Sequence, residues 1–191
     1  MTLTPLLARL LSIAGHPAVL MPAAVLIAAP ARVRLAALIA SAACAAAVLG
    51  YSFHKAHRGD WAHIDASVPA ERTQFNARVG SGLLVAAGAL WLLRLPIGLP
   101  LVIGLAGLIV MTGQLFRGVA KLSLHVAFAV FATFLAWPNL GAAIVLAVMA
   151  AGVAWSRLAL RRHVPADLLL GLVAGAAAGL AFHIAMARLA A

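Results

Sequence analysis

Ser156-Arg157-Leu158-Ala159-Leu160-Arg161-Arg162-His163-Val164-Pro165-Ala166-Asp167 lies between two long apolar runs, 140–156 and 166–188. Ionisable groups at the edge of a membrane segment are costly, so they mark function by default. Pro165 suits the first turn of a new helix. Asp167 then falls in that turn, within reach of His163. A carboxylate bonded to one ring nitrogen fixes the tautomer and makes the other nitrogen a better base or nucleophile. Arg157, at the end of the preceding helix, carries the planar fork that holds a phosphate by paired hydrogen bonds. The alternative is a basic loop that anchors two membrane helices at the interface.

The rest of the chain matches this membrane setting. Its 191 residues suit one domain, 1–191. It is 65% hydrophobic and 9% charged, against about 25% charged for soluble domains. We therefore expect an all-α integral membrane protein. The net charge of +10 comes from groups placed between apolar runs, with no basic stripe interleaved with aromatics. That excludes nucleic acid as the expected partner and favours lipid headgroups and a lipid phosphate. Cys44 is the only cysteine, so no internal disulfide forms. The N-terminus carries Arg9 and a long apolar stretch with no clear cleavage site, so no cleavable signal peptide is expected.

Working outward, residues 35–53, 79–93, 97–116, 122–137, 140–156 and 166–188 read as six spans. Residues 1–15 read as a short interfacial lead. The apolar stretch from His16-Pro17 to Ala29 is short for a span, which needs about 20 residues. It either borrows length from 5–15, giving a seventh crossing, or is re-entrant. His16 reads as an interfacial residue satisfied locally. Residues 54–78 read as one long polar loop. His54, His57 and His63 fall in it without a recognised ligand spacing, so neither a metal nor a cofactor is expected. Gly171, Gly175 and Gly179 recur every four residues and read as a packing stripe. His183 reads as a satisfied core or interfacial histidine.

Span counting makes its own statement about the site. Helix 122–137 leaves from the level of Lys121-Leu122-Ser123-Leu124-His125, and 140–156 returns to that of Arg157 and His163. Helices 79–93 and 97–116 likewise leave and return from the loop holding Arg72 and Arg78. The three polar clusters therefore belong at one membrane face.

These clusters together resemble the signature of the type-2 phosphatidic acid phosphatase superfamily, which includes bacterial lipid phosphatases and vanadium haloperoxidases. That family carries a Ser-Gly-His block, then Ser-Arg-x5-His-x3-Asp downstream. The downstream block matches here at every defined position. The upstream block has Leu124 in place of Gly and Leu122 in place of Pro. The family's first block, Lys-x6-Arg-Pro, is absent in that form. The segment 65–78 stands in its place, as in small bacterial members, and Arg72 takes the cationic role with Arg78 and Asn76 as substitutes. The resemblance covers about 50–188, with 1–49 as N-terminal apolar segments.

Chemistry and resemblance assign the same roles. Phosphate monoesters need an in-line nucleophile and neutralised equatorial oxygens. The chain has only four acidic residues, and of these Asp167 is placed in the site, too few for a carboxylate metal cage. Cations are the expected substitute. His163 attacks phosphorus, Asp167 orients it, and His125 serves as acid and then base. Arg157, Lys121 and Arg72 hold phosphoryl oxygens, with the Ser123 hydroxyl. Arg161 and Arg162 read as headgroup anchors. The expected function is hydrolysis of a lipid phosphate or diphosphate: polyprenyl diphosphate, phosphatidic acid or phosphatidylglycerol phosphate. The alternatives are a lipid phosphoryltransferase and a non-catalytic lipid-binding or transport relative. The cationic bias read naively puts the site in the cytoplasm. Phosphate binding already explains several of those cations, and resemblance to bacterial members implies a periplasmic site in the inner membrane.

Overall fold

The computed structural model describes residues 3–118 and 120–190. They form eight α-helices: α1 Leu3–Ala14, α2 Pro17–Ala28, α3 Arg34–His57, α4 Pro69–Leu92, α5 Gly98–Leu115, α6 Leu124–Leu135, α7 Leu140–Ala159 and α8 Pro165–Ala190. A 3-10 turn, Ala31–Val33, leads into α3. There is no strand among the described residues. Lipid offers no partners for backbone N–H and C=O groups, and helices satisfy them within the segment. The protein is a multi-pass membrane protein by the length and apolarity of these helices. Five of them are long and apolar enough to cross: α3 with its leading turn, α4, α5, α7 and α8. The pair α1–α2, bent by 51°, makes a sixth if it counts as one broken span. Trp91 and Trp137 lie exposed near the ends of α4 and α6 that point away from the polar clusters, the place for interfacial aromatics.

Two expectations need correction. The polar stretch 54–78 is mostly helical. α3 runs to His57 and α4 begins at Pro69, so only Arg58–Val68 is loop. Pro69 sits in the first turn of α4, where its missing N–H costs nothing. Glu71 then takes the N–H of Val68 at 3.4 Å and of Ala62 at 2.7 Å. That carboxylate caps the helix and pins the loop over it.

The expected span 122–137 is also shorter than read. α6 has 12 residues, about 18 Å of helix, against a hydrocarbon core of about 30 Å. It starts late because its approach is held extended. The Lys121 N–H reaches Asp167 Oδ1 at 3.1 Å, and the Ser123 N–H reaches the Asp167 carbonyl at 3.1 Å. Its shortness is tolerated because α2, α7 and α8 enclose it. Phe131, Ala127, Ala132 and Leu135 are fully buried. The glycine stripe of α8 explains the closeness of one of those contacts. A Cβ on Gly171 would lie 2.6 Å from the Ser123 carbonyl, and Cβ atoms on Gly175 and Gly179 would overlap Ala127 and Phe134. His183, on the same helix, meets the Phe134 carbonyl at 2.7 Å, a satisfied histidine.

Elsewhere the packing is uneven. α4 and α5 form a tightly packed hairpin, and α3 leans on α2 while scarcely touching α4. An apolar cavity occupies that gap. α7 ends in a turn in which the Arg161 N–H bonds to the Leu158 carbonyl at 2.9 Å and the Arg162 N–H to that of Arg157 at 3.0 Å. This is the glycine-type helix stop with Arg161 in the left-handed position, φ 52°. It aims the chain from Arg157 directly into His163.

Candidate active site

His163 and Asp167 form a buried polar pair. Nδ1 of His163 lies 3.1 Å from Asp167 Oδ2, with both side chains under a tenth exposed. Asp167 stands in the first turn of α8, and its Oδ2 also takes the Val164 N–H at 3.2 Å. With Lys121 N–H on Oδ1, three donors serve the buried carboxylate. A carboxylate only accepts, so His163 carries its proton on Nδ1 and presents the Nε2 lone pair. Burial, above all, lowers the His163 pKa to about 4. Lys121 and Arg157 push the same way, against the hydrogen bond to Asp167.

A pH profile follows from that sign. The imidazole is neutral, hence nucleophilic, down to about pH 4. The acid limb of kcat/KM assigned to His163 should therefore fall near pH 4 rather than near 6.5. The unfolded chain binds this proton more readily. The stability His163 contributes is thus complete above about pH 6.5 and is lost as pH falls through about 4. An acid limb centred near 6.5 would contradict this.

A cavity of about 510 Å³ opens beside His163. Its polar end is lined by His163, His125, Arg157, Lys121 and Arg72, so five of the expected site residues share one space. Its other end is apolar, walled by Met21, Val48, Leu83, Ile103 and Phe128 from α2, α3, α4, α5 and α6. Lys121 Nζ donates to the Arg162 carbonyl at 2.9 Å. Burial first, then the charge of Arg72, holds its ammonium pKa below the usual value. Arg157 gives Nη1 to Ser12 at 3.0 Å, and its buried Nε has no partner. Arg72 donates Nη2 to the Ser67 carbonyl at 2.9 Å. Cations crowded in this way, with donors to spare, favour an anion among them.

Several expected residues stand elsewhere. Ser123 is fully buried, its hydroxyl has no partner, and it is not part of the cavity wall. Its neighbours Leu122 and Leu124 line the cavity instead. Arg78 donates to the Tyr51 hydroxyl at 3.1 Å, away from the cavity. Asn76 faces a separate space of about 230 Å³ behind Arg72. Of the first-block candidates, Arg72 is therefore the one at the site. Arg162, expected as a headgroup anchor, lines the cavity. Asp65 also lines the cavity and pairs with Arg162 at 2.6 Å.

Sequence reasoning missed the part played by the N-terminal segment. Ser12 carried no signal at all. His16 had one, the break Gly15-His16-Pro17 inside an apolar run. It is locally satisfied as expected, through the Ala18 N–H at 3.2 Å. It also lines the cavity, edge-on to His125. Of the loop and α3 histidines, His63 reaches the cavity while His57 stacks on Phe53. Among the described residues, no three His, Cys, Asp or Glu side chains converge as metal ligands would.

Residues 116–190 match the sequence model of the PAP2 superfamily. The match supports membership of that superfamily. No curated protein and no solved structure matches the chain. Members of the PAP2 superfamily are generally phosphatases, hydrolases acting on phosphate esters. The PAP2 match begins at α6 and its approach and ends with α8, so it contains His125, Arg157, His163 and Asp167. It is narrower than the resemblance read over 50–188, and Arg72, Ser12 and His16 lie outside it.

Proposed function

We propose that this protein is a membrane phosphatase that hydrolyses a lipid phosphate or diphosphate through a phosphohistidine at His163. The observation that carries it is the cavity itself. One end holds a histidine oriented by Asp167 among Arg72, Lys121, Arg157 and Arg162, and the other is an apolar bay. A soluble phosphate ester has no use for that bay.

In the first step Nε2 of His163 attacks phosphorus and the bond to the leaving oxygen breaks. His125, in its protonated form, gives that oxygen its proton. The negative charge of a bound phosphate favours that form. In the second step water attacks phosphorus, His125 takes its proton, and the N–P bond breaks to release phosphate. Arg157, Lys121 and Arg72 hold the equatorial oxygens in both steps. The substrate class is that of phosphatidic acid, phosphatidylglycerol phosphate or a polyprenyl diphosphate. We place the site on the periplasmic side of the inner membrane. Labelling of a cysteine introduced in the 58–68 loop of intact cells reads that out, and labelling only after permeabilisation reverses it.

The test is phosphate release from a panel of lipid phosphates by detergent-solubilised protein, beside soluble phosphate esters. Lipid phosphates should be turned over in preference. Folded protein releasing no phosphate from any of them would sink the reading. Phosphate recovered on an acceptor lipid in place of water would assign a transferase.

A further inference from the structure

His16 occupies the break between α1 and α2, and the reaction just described makes no use of it. Gly15 presses that break onto α7, where a side chain would overlap Val153, one turn before Arg157. Nδ1 of His16 accepts the Ala18 N–H at 3.2 Å and so caps α2. A neutral imidazole with Nδ1 accepting carries its proton on Nε2. Among the described residues Nε2 has no protein partner. The ring forms part of the same polar cavity wall as His125, Arg157 and His163. It stands edge-on to His125, with centroids 5.1 Å apart and planes at 87°. The same segment reaches the site a second time through Ser12, which accepts from Arg157.

Capping alone does not account for this residue. Asn, Ser or Asp caps a helix better, and none needs a place on a cavity wall beside two other imidazoles. A free N–H donor among cations that already surround an anion site adds one more contact for that anion. We propose that His16 is a substrate-contacting residue of this site, donating from Nε2 to an oxygen of the bound phosphate on the side where His125 works. The identity of the anion rests on the phosphatase reading. The contact itself rests on the cavity wall and on the commitment of Nδ1 to α2.

The experiment measures binding in a protein that cannot turn over. Equilibrium binding of dodecyl phosphate in detergent is measured for His163→Ala and for His163→Ala with His16→Asn, with dodecanol as the uncharged control. Asn keeps a side-chain acceptor for the Ala18 N–H and removes the ring donor. His16→Ser, a second capping residue, repeats the measurement independently. Losing a hydrogen bond to a charged group should weaken dodecyl phosphate about 10-fold or more and leave dodecanol unchanged. Affinity for dodecyl phosphate within about twofold overturns the proposal, on the same scale. So does equal weakening of both ligands, the mark of a structural role. If the His163→Ala protein prefers neither ligand, the phosphatase reading falls and this one with it, a pattern distinct from either of the others.

Discussion

The His163→Ala protein should show no turnover above background and form no phosphoenzyme. In the proposed scheme the covalent route runs through one atom, Nε2 of His163. His125, His16 and His63 are the other imidazoles lining the cavity, but among the described residues none of them is paired with a carboxylate in the way His163 is with Asp167. The loss should be chemical rather than structural. Without the imidazole, Asp167 keeps the N–H groups of Lys121 and Val164, so the junction of α6 and α8 stays tied. Thermal unfolding in detergent should change little while activity vanishes. Specific activity surviving in folded His163→Ala protein would overturn the nucleophile assignment. It would return the motif to a basic anchor between two helices.

His125→Ala should behave differently, and the difference tests the two-step scheme. General acid–base help is worth about 10²–10⁴-fold, and turnover of a lipid phosphate should fall within that range. The first step should recover in part with an activated aryl phosphate, whose leaving group needs no proton. The second step still lacks its base, so phosphohistidine should accumulate. Acid-quench mass spectrometry after mixing reads this directly. Phosphate on any residue other than His163 would contradict the scheme, and unchanged turnover would remove His125 from it.

The parts of this architecture that were legible in sequence are those fixed over one or two helical turns. Arg157, His163 and Asp167 are placed by a helix stop, a short connection from Leu160 to Val164 and a helix start. Pro165 announced the last of these. The stripe Gly171, Gly175, Gly179 was legible for the same reason, since its period is that of the helix. The start of α4 was misread because its first turns are polar and hydropathy hid them, although Pro69 and Glu71 are start signals in their own right. α6 was overestimated from the opposite cause. Leu122 and Trp137 count as apolar, but the backbone before Leu124 is drawn straight by Asp167. The Ser123 hydroxyl was expected at the phosphate from its position at a helix start, yet α8 buries it behind two leucines. The contacts of Ser12 with Arg157 and of His16 with His125 have no local pattern to read. They exist only because α1 packs on α7 and α2 on α6.

The bond from Ser12 to Arg157 spans 145 residues of chain, and this separation sets an order of events during synthesis. At about 5–20 residues per second, the ribosome delivers Arg157 roughly 7–30 s after Ser12, the 145 residues divided by that rate. During that interval the hydroxyl of Ser12 waits without Arg157. α7 and α8, whose junction carries Arg157 and His163, are made after α1 to α6. A chain interrupted anywhere before Arg157 therefore carries no assembled cation cluster.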